Sequence, residues 1–234
     1  MRLVLPVLLT AALAWLYGRI PQRGLLLWTA GLGAAVFARL SLNPDVLAYH
    51  PRAETPVLNW YLYTYLVSAV ALLAAARLLR RTDDRLGGLG GLGGLGDGAA
   101  GLPRLSTLAS AGGGVLLFLL LNIEIADFFS AGETLTFAFL SGRGTLAEGL
   151  TYTLGWAIFA LALLVTGIAL RSRPARVTAI GLLAVTVIKG FLFDLSSLGG
   201  LYRVASFVGM AFCLAAVAVL IQKFVLARPE EERG

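Results

Sequence analysis

The chain has 234 residues, 58% of them hydrophobic and 14% charged, with a formal net charge of +6 and a mean hydropathy of +0.83. Soluble domains are about half apolar and about a quarter charged, so this balance excludes a soluble globular protein and indicates an integral membrane protein. The positive charge does not point to nucleic acid, because the basic residues sit in short connections between apolar runs, the pattern that orients a membrane protein.

Crossing the hydrocarbon takes about 20 apolar residues, with about 17 as a working minimum. Seven runs meet or approach that length: 3–17, 24–40, 60–76, 109–129, 150–170, 177–193 and 201–226. Backbone groups in lipid have no water to bond, and these runs are continuous rather than alternating, so the expectation is an all-α, polytopic bundle of about seven transmembrane helices and not a barrel. The first two runs are short, which leaves a six-helix arrangement with an interfacial first segment as the alternative. The first run also imitates a signal peptide, with Arg2, an apolar stretch and Ala12-Leu13-Ala14.

Charge separates these readings. With seven spans, the connections after the first, third, fifth and seventh share one side and carry 13 basic residues, from Arg19 and Arg23 through Arg77, Arg80, Arg81, Arg85, Arg104, Arg171, Arg173 and Arg176 to Lys223, Arg228 and Arg233. The other side carries only Arg2, Arg39, Arg52, Arg143 and Arg203. The positive-inside rule then places the N-terminus outside and the C-terminus in the cytoplasm; a cleaved leader would reverse the bias.

Four segments follow from the runs: a three-helix part at 1–77, a linker at 78–104, a four-helix part at 105–227 and a charged cytoplasmic tail at 228–234. Within the linker, "RLGGLGGLGGLGDGAAGLPRL" (85–105) repeats Gly-Gly-Leu without a helical or strand period. It reads as a flexible cytoplasmic connection whose leading arginines lie near anionic headgroups. A phosphate-binding loop is excluded by the missing Gly-Lys-Ser/Thr ending. No internal repeat relates the two helical parts.

Cytoplasmic ends are almost all arginine, but the outer ends mix chemistries. Arg39, Asn43, Asp45, His50, Asn59 and Tyr63 follow the second span, Asn122, Glu124 and Asp127 close the fourth, and Glu148, Tyr152 and Trp156 recur every four residues at the start of the fifth. Lys189 and Asp194 close the sixth, and Tyr202, Arg203 and Ser206 open the seventh. A charge near the bilayer centre costs about 2.5 to 3.5 kcal/mol on insertion scales, so Glu124 and Lys189 need partners or water. Around these outer ends gather seven acids (Asp45, Glu54, Glu124, Asp127, Glu133, Glu148 and Asp194) and five bases (Arg39, Arg52, Arg143, Lys189 and Arg203), a near balance suited to an ion-paired layer around an outward-facing cavity.

Each residue also has a plainer reading. Lys189 could snorkel to the headgroups, Trp60, Tyr61, Tyr63 and Tyr65 could form an interfacial aromatic belt, and Asn43-Pro44 could simply start a turn. Cys213, the only cysteine, reads as a small packing residue and allows no intramolecular disulfide. His50, the only histidine, reads as a loop residue without a role. The sequence implies no metal and no cofactor.

The segments "RLSLNPDVLAY", "PVLNWYLYTY", "LLNIEIADFF", "LTYTLGWAIFALALLVTGI" and "VIKGFLFDLSSLGGLYRVASFVGM" resemble the C-terminal part of a bacterial family of predicted multi-pass membrane proteins, domain of unknown function 2339. The resemblance runs from about Arg39 to Lys223. It implies a bacterial cytoplasmic membrane location and makes Asn43, Asn59, Trp60, Lys189, Asp194, Tyr202, Arg203 and Ser206 motif positions. Family members are usually much longer, which makes this chain a reduced member or a fragment. The family brings no established activity.

Three functions are compatible with the pattern. The first is transport or handling of a cell-envelope or lipid-linked substrate at the outer layer. The second is a structural or sensory partner whose layer locks helices or other membrane subunits, aided by small residues at Gly112, Gly113 and Gly114. The third, a membrane enzyme with His50 or a carboxylate as base, has the least support.

Overall fold

The computed structural model describes residues 4–20, 22–48, 58–86, 105–130, 135, 137 and 145–194, together with 208–209, 211–212, 214–219 and 222. The described residues contain no strand. The chain divides into two compact units, Met1–Thr136 and Phe137–Gly234.

The first unit holds α1 (Val4–Arg19), α2 (Arg23–Leu42), a 3-10 turn (Pro44–Ala48), α3 (Trp60–Leu86) and α4 (Leu105–Phe129). Helix α2 ends where Pro44 disfavours helical geometry at Asn43, which is extended at φ −107°. The Asn43 side-chain oxygen then accepts from the Asp45 N–H at 3.0 Å, so the turn reading of Asn43-Pro44 describes what this residue does.

Two apolar clusters fix how these helices run. Val7, Val36, Leu40, Val46, Tyr61, Tyr65, Leu116 and Ile123 share one cluster. Ala14, Tyr17, Leu26, Ala75 and Leu79 form the other, with Leu105 against it. Early α1 therefore meets early α3 and late α1 meets late α3, while α2 and α4 run the opposite way. This up-down order is what consecutive membrane crossings require. Helix α1 packs lengthwise on α3 and does not lie across its end, the geometry expected of an interfacial segment.

Helices α3 and α4 approach closely at Gly113. A β-carbon there would stand 2.7 Å from Leu73 Cγ and 3.1 Å from the Ala69 carbonyl oxygen. Gly112 faces Phe37 and Leu72 at 3.4 and 3.5 Å, whereas Gly114 has nothing within 4 Å. Two of the three small residues thus serve packing.

The second unit holds α5 (Leu146–Ala169), α6 (Arg173–Lys189) and a π-helical segment, Gly190–Asp194, that prolongs α6. The described residues of 208–219 are helical as well. Three residues join α5 to α6. Arg171 takes φ 50°, and Ser172 and Arg171 donate to the carbonyls of Gly167 (2.8 Å) and Ile168 (3.0 Å), the paired bonds of a left-handed helix stop. Ser172 then caps α6 by accepting from the Ala175 N–H, and Pro174 occupies the first turn, where its missing donor does no harm.

Among the described residues, four helices are long and apolar enough to cross a membrane: Gly24–Leu42, Trp60–Arg80, Leu105–Phe129 and Leu146–Ala169. Helices α1 and α6, with 16 and 17 residues, fall short of the full length.

Candidate functional site

In the first unit the polar residues meet where α3 begins. Asn59 is the N-cap of α3: its side-chain oxygen accepts from the Leu62 N–H at 2.8 Å, satisfying a donor the helix leaves open. The same amide turns its nitrogen across to α4 and donates to Glu124 Oε2 and Asp127 Oδ2, each at 3.1 Å. A side-chain amide has two N–H donors, and each goes to a different carboxylate. Glu124 and Asp127 lie one turn apart on one face of α4, where like charges repel, and the shared amide holds them together. Asn59 and Asp127 are buried, while Glu124 is half-buried with Oε1 shielded and without a hydrogen-bond partner among the described residues.

Tyr61 and Tyr65 stand in the first and second turns of α3. Both are buried, and their hydroxyls donate to the Leu47 carbonyl and the Leu40 carbonyl at 2.9 Å each. The aromatic-belt reading is therefore corrected for these two residues: an interior neighbour at 2.9 Å satisfies each hydroxyl, so neither needs the headgroup region. Tyr63, on the opposite face, is 56% exposed, as that reading requires.

In the second unit the polar residues meet where α6 ends. Lys189 is only 3% exposed, and its amine donates to the Gly149 carbonyl at 3.0 Å and to Thr153 Oγ1 at 2.7 Å, both on α5. The snorkelling reading is overturned, because the amine bonds the neighbouring helix. Glu148, Tyr152 and Trp156 form a buried stripe on α5, as the spacing of four predicts. Thr145 caps this helix, its hydroxyl accepting from the Glu148 N–H at 3.2 Å.

A family model described as "Predicted membrane protein (DUF2339)" matches residues 1–224. The chain belongs to this family. The match takes in the N-terminal residues as well, beyond the 39–223 stretch that carried the resemblance. No curated protein and no solved structure shows significant similarity to it.

Within this DUF2339 protein, Asn59, Glu124 and Asp127 come together in one cluster, and Lys189, at the end of α6, bonds across to the α5 helix that carries Glu148 and Tyr152. Arg39 and Asp45 are exposed, on α2 and in the 3-10 turn. Asn122 is buried but bonds its own helix, donating to the Phe118 carbonyl at 2.6 Å. Asp194 ends the π segment. Tyr202, Arg203, Ser206, His50 and Cys213 lie outside the described residues. Sequence reasoning missed Thr153 and the Gly149 carbonyl as the partners of Lys189. Thr153 stands four residues after Gly149, and that spacing on a helix opening with Glu148 was the available signal.

Proposed function

We propose that this DUF2339 protein is a multi-helix membrane partner whose intramembrane polar groups act as clasps between helices, locking a structural or sensory bundle. The observation that carries this reading is the Asn59 amide: one side chain caps α3 and holds two carboxylates of α4. Lys189 does the corresponding work between α6 and α5. In an apolar surround such bonds tie helices together, because a separated helix would expose the polar group to lipid.

The test separates a clasp from a working charge. Lys189→Met keeps most of the side-chain volume and removes the amine. Under the clasp reading the purified variant melts at a lower temperature and its level in the membrane falls. Unchanged melting and level, combined with loss of a cellular phenotype, would refute it and assign the amine to activity.

A second reading, transport or handling of an envelope or lipid-linked substrate, is favoured by the shielded Oε1 of Glu124, which has acceptor capacity left beside Asp127. Glu124→Gln with intact melting but lost cellular function would move the assignment to that reading. Under either, the protein sits in a bacterial cytoplasmic membrane with its N-terminus outside.

A further inference from the structure

The two ends of the first unit differ in charge. Asp45, Glu124 and Asp127, with Arg39 as the basic residue beside them, lie toward the end where α3 starts. At the other end, late α1, early α2, late α3 and early α4 meet around Tyr17, Leu26, Leu79 and Leu105. Arg19, Arg77 and Arg80 flank that cluster on α1 and α3, and all three are exposed. Arg81 and Arg85 follow on α3 together with Asp83 and Asp84, Arg23 opens α2 and Arg104 precedes α4, so the end is strongly cationic by sequence.

Position along the helix places this end at a membrane surface. From Trp60 to Arg77 α3 rises about 26 Å, close to the ~30 Å hydrocarbon thickness. With Trp60 at one boundary, Arg77 reaches the other. Two tryptophans mark the same level: Trp15 on α1 is 53% exposed and Trp28 on α2 is 71% exposed, as residues at the lipid interface are. The Arg19 guanidinium lies over the Trp15 ring, 5.2 Å from its centroid. That stacking holds a cation at the depth where phosphate groups lie.

We propose that this end of the four-helix unit is a docking surface for anionic phospholipid headgroups, built around Arg19, Arg77 and Arg80 with Trp15 as its platform. Orienting a span calls for basic residues in a connection. It does not call for a guanidinium stacked on a lipid-facing indole, with two further arginines presented from a neighbouring helix of the same cluster. Each interfacial arginine strengthens anionic over zwitterionic lipid binding by about fivefold, and the contribution fades within a Debye length.

The full chain would be placed in nanodiscs of phosphatidylcholine alone and of phosphatidylcholine mixed with phosphatidylglycerol, and its melting followed by intrinsic fluorescence. The anionic lipid is expected to raise the melting temperature of the wild type and of Arg39→Gln at the opposite end, and to raise that of Arg19→Gln/Arg77→Gln/Arg80→Gln much less. Retained anionic bound lipid, counted by native mass spectrometry, is expected to fall about fivefold per arginine removed. An equal response in the triple variant, or none in the wild type, would overturn the proposal. So would equal stabilisation by glycerol phosphate in solution, which would indicate a free-anion site. Should the triple variant fail to fold, the wild type and Arg77→Gln alone decide. Raising salt from about 0.1 to about 1 M, which shortens the screening length about threefold, must shrink the wild-type response; an unchanged response also sinks the proposal.

Discussion

Replacing Asn59 with leucine removes three hydrogen bonds at once: the cap on Leu62 and the two contacts to Glu124 and Asp127. Loss of an N-cap costs about 1 kcal/mol. Interhelical hydrogen bonds in membranes are worth about 0.6 to 2 kcal/mol each. Two neighbouring carboxylates that lose the amide they share add to the loss, because a buried polar group that gives up a hydrogen bond keeps its desolvation penalty. The expected destabilisation is about 2 to 4 kcal/mol, at the upper end of ordinary single substitutions. Serine and aspartate at the same position separate the contributions. Asn59→Ser keeps a capping oxygen and loses the bridge, so it recovers about 1 kcal/mol relative to leucine. Asn59→Asp also keeps the cap but sets a third carboxylate against two others, so it is expected to be less stable than serine although aspartate is the better cap. Reversible unfolding in mixed micelles, monitored by circular dichroism against denaturing detergent, measures all three. A leucine variant within about 0.5 kcal/mol of wild type, or aspartate more stable than serine, would refute the bridge.

Neighbouring glycines give a sharper contrast: Gly113→Val meets Leu73 and the Ala69 carbonyl oxygen and is expected to cost about 1 to 3 kcal/mol, whereas Gly114→Ala enters open space and gains about 1 kcal/mol of helix propensity; both are read as shifts in melting temperature. Arg171→Gly relieves a left-handed conformation in a residue with a β-carbon and is expected to raise stability by about 1 kcal/mol, with unchanged or lower melting counting against the strain. Thr153→Val removes the 2.7 Å bond to the Lys189 amine and lowers stability by about 1 kcal/mol; the effect disappears when Lys189→Met is already present, a non-additivity that a double-mutant cycle measures.

Hydropathy made the helices legible because lipid imposes one requirement, satisfied backbone in a long apolar run, and the ends of α2, α4 and α5 fall within a few residues of the predicted runs. The four-residue spacing of Glu148, Tyr152 and Trp156 likewise told which face of α5 is buried, since a period constrains direction around one helix. Partnership was not legible. Nothing local distinguishes Tyr61 and Tyr65, which donate inward to carbonyls, from Tyr63, which points out, except the two-residue offset that a belt reading ignores. Lys189 looked free to snorkel because its distance from the helix end is a one-dimensional quantity, while the Thr153 hydroxyl that receives it belongs to another helix. The double duty of Asn59 was hidden for the same reason: its cap is local, and its bridge spans 65 and 68 residues.

The three-residue stop between α5 and α6 has a consequence for biogenesis. A connection so short, with its reversal already set by Arg171 and Ser172, makes α5 and α6 a helical hairpin whose pairing depends only on local chain. Lys189 emerges last in that pair, after Gly149 and Thr153 are in place. The oxygens that its ammonium bonds therefore belong to the other arm of the same hairpin and await no later part of the chain.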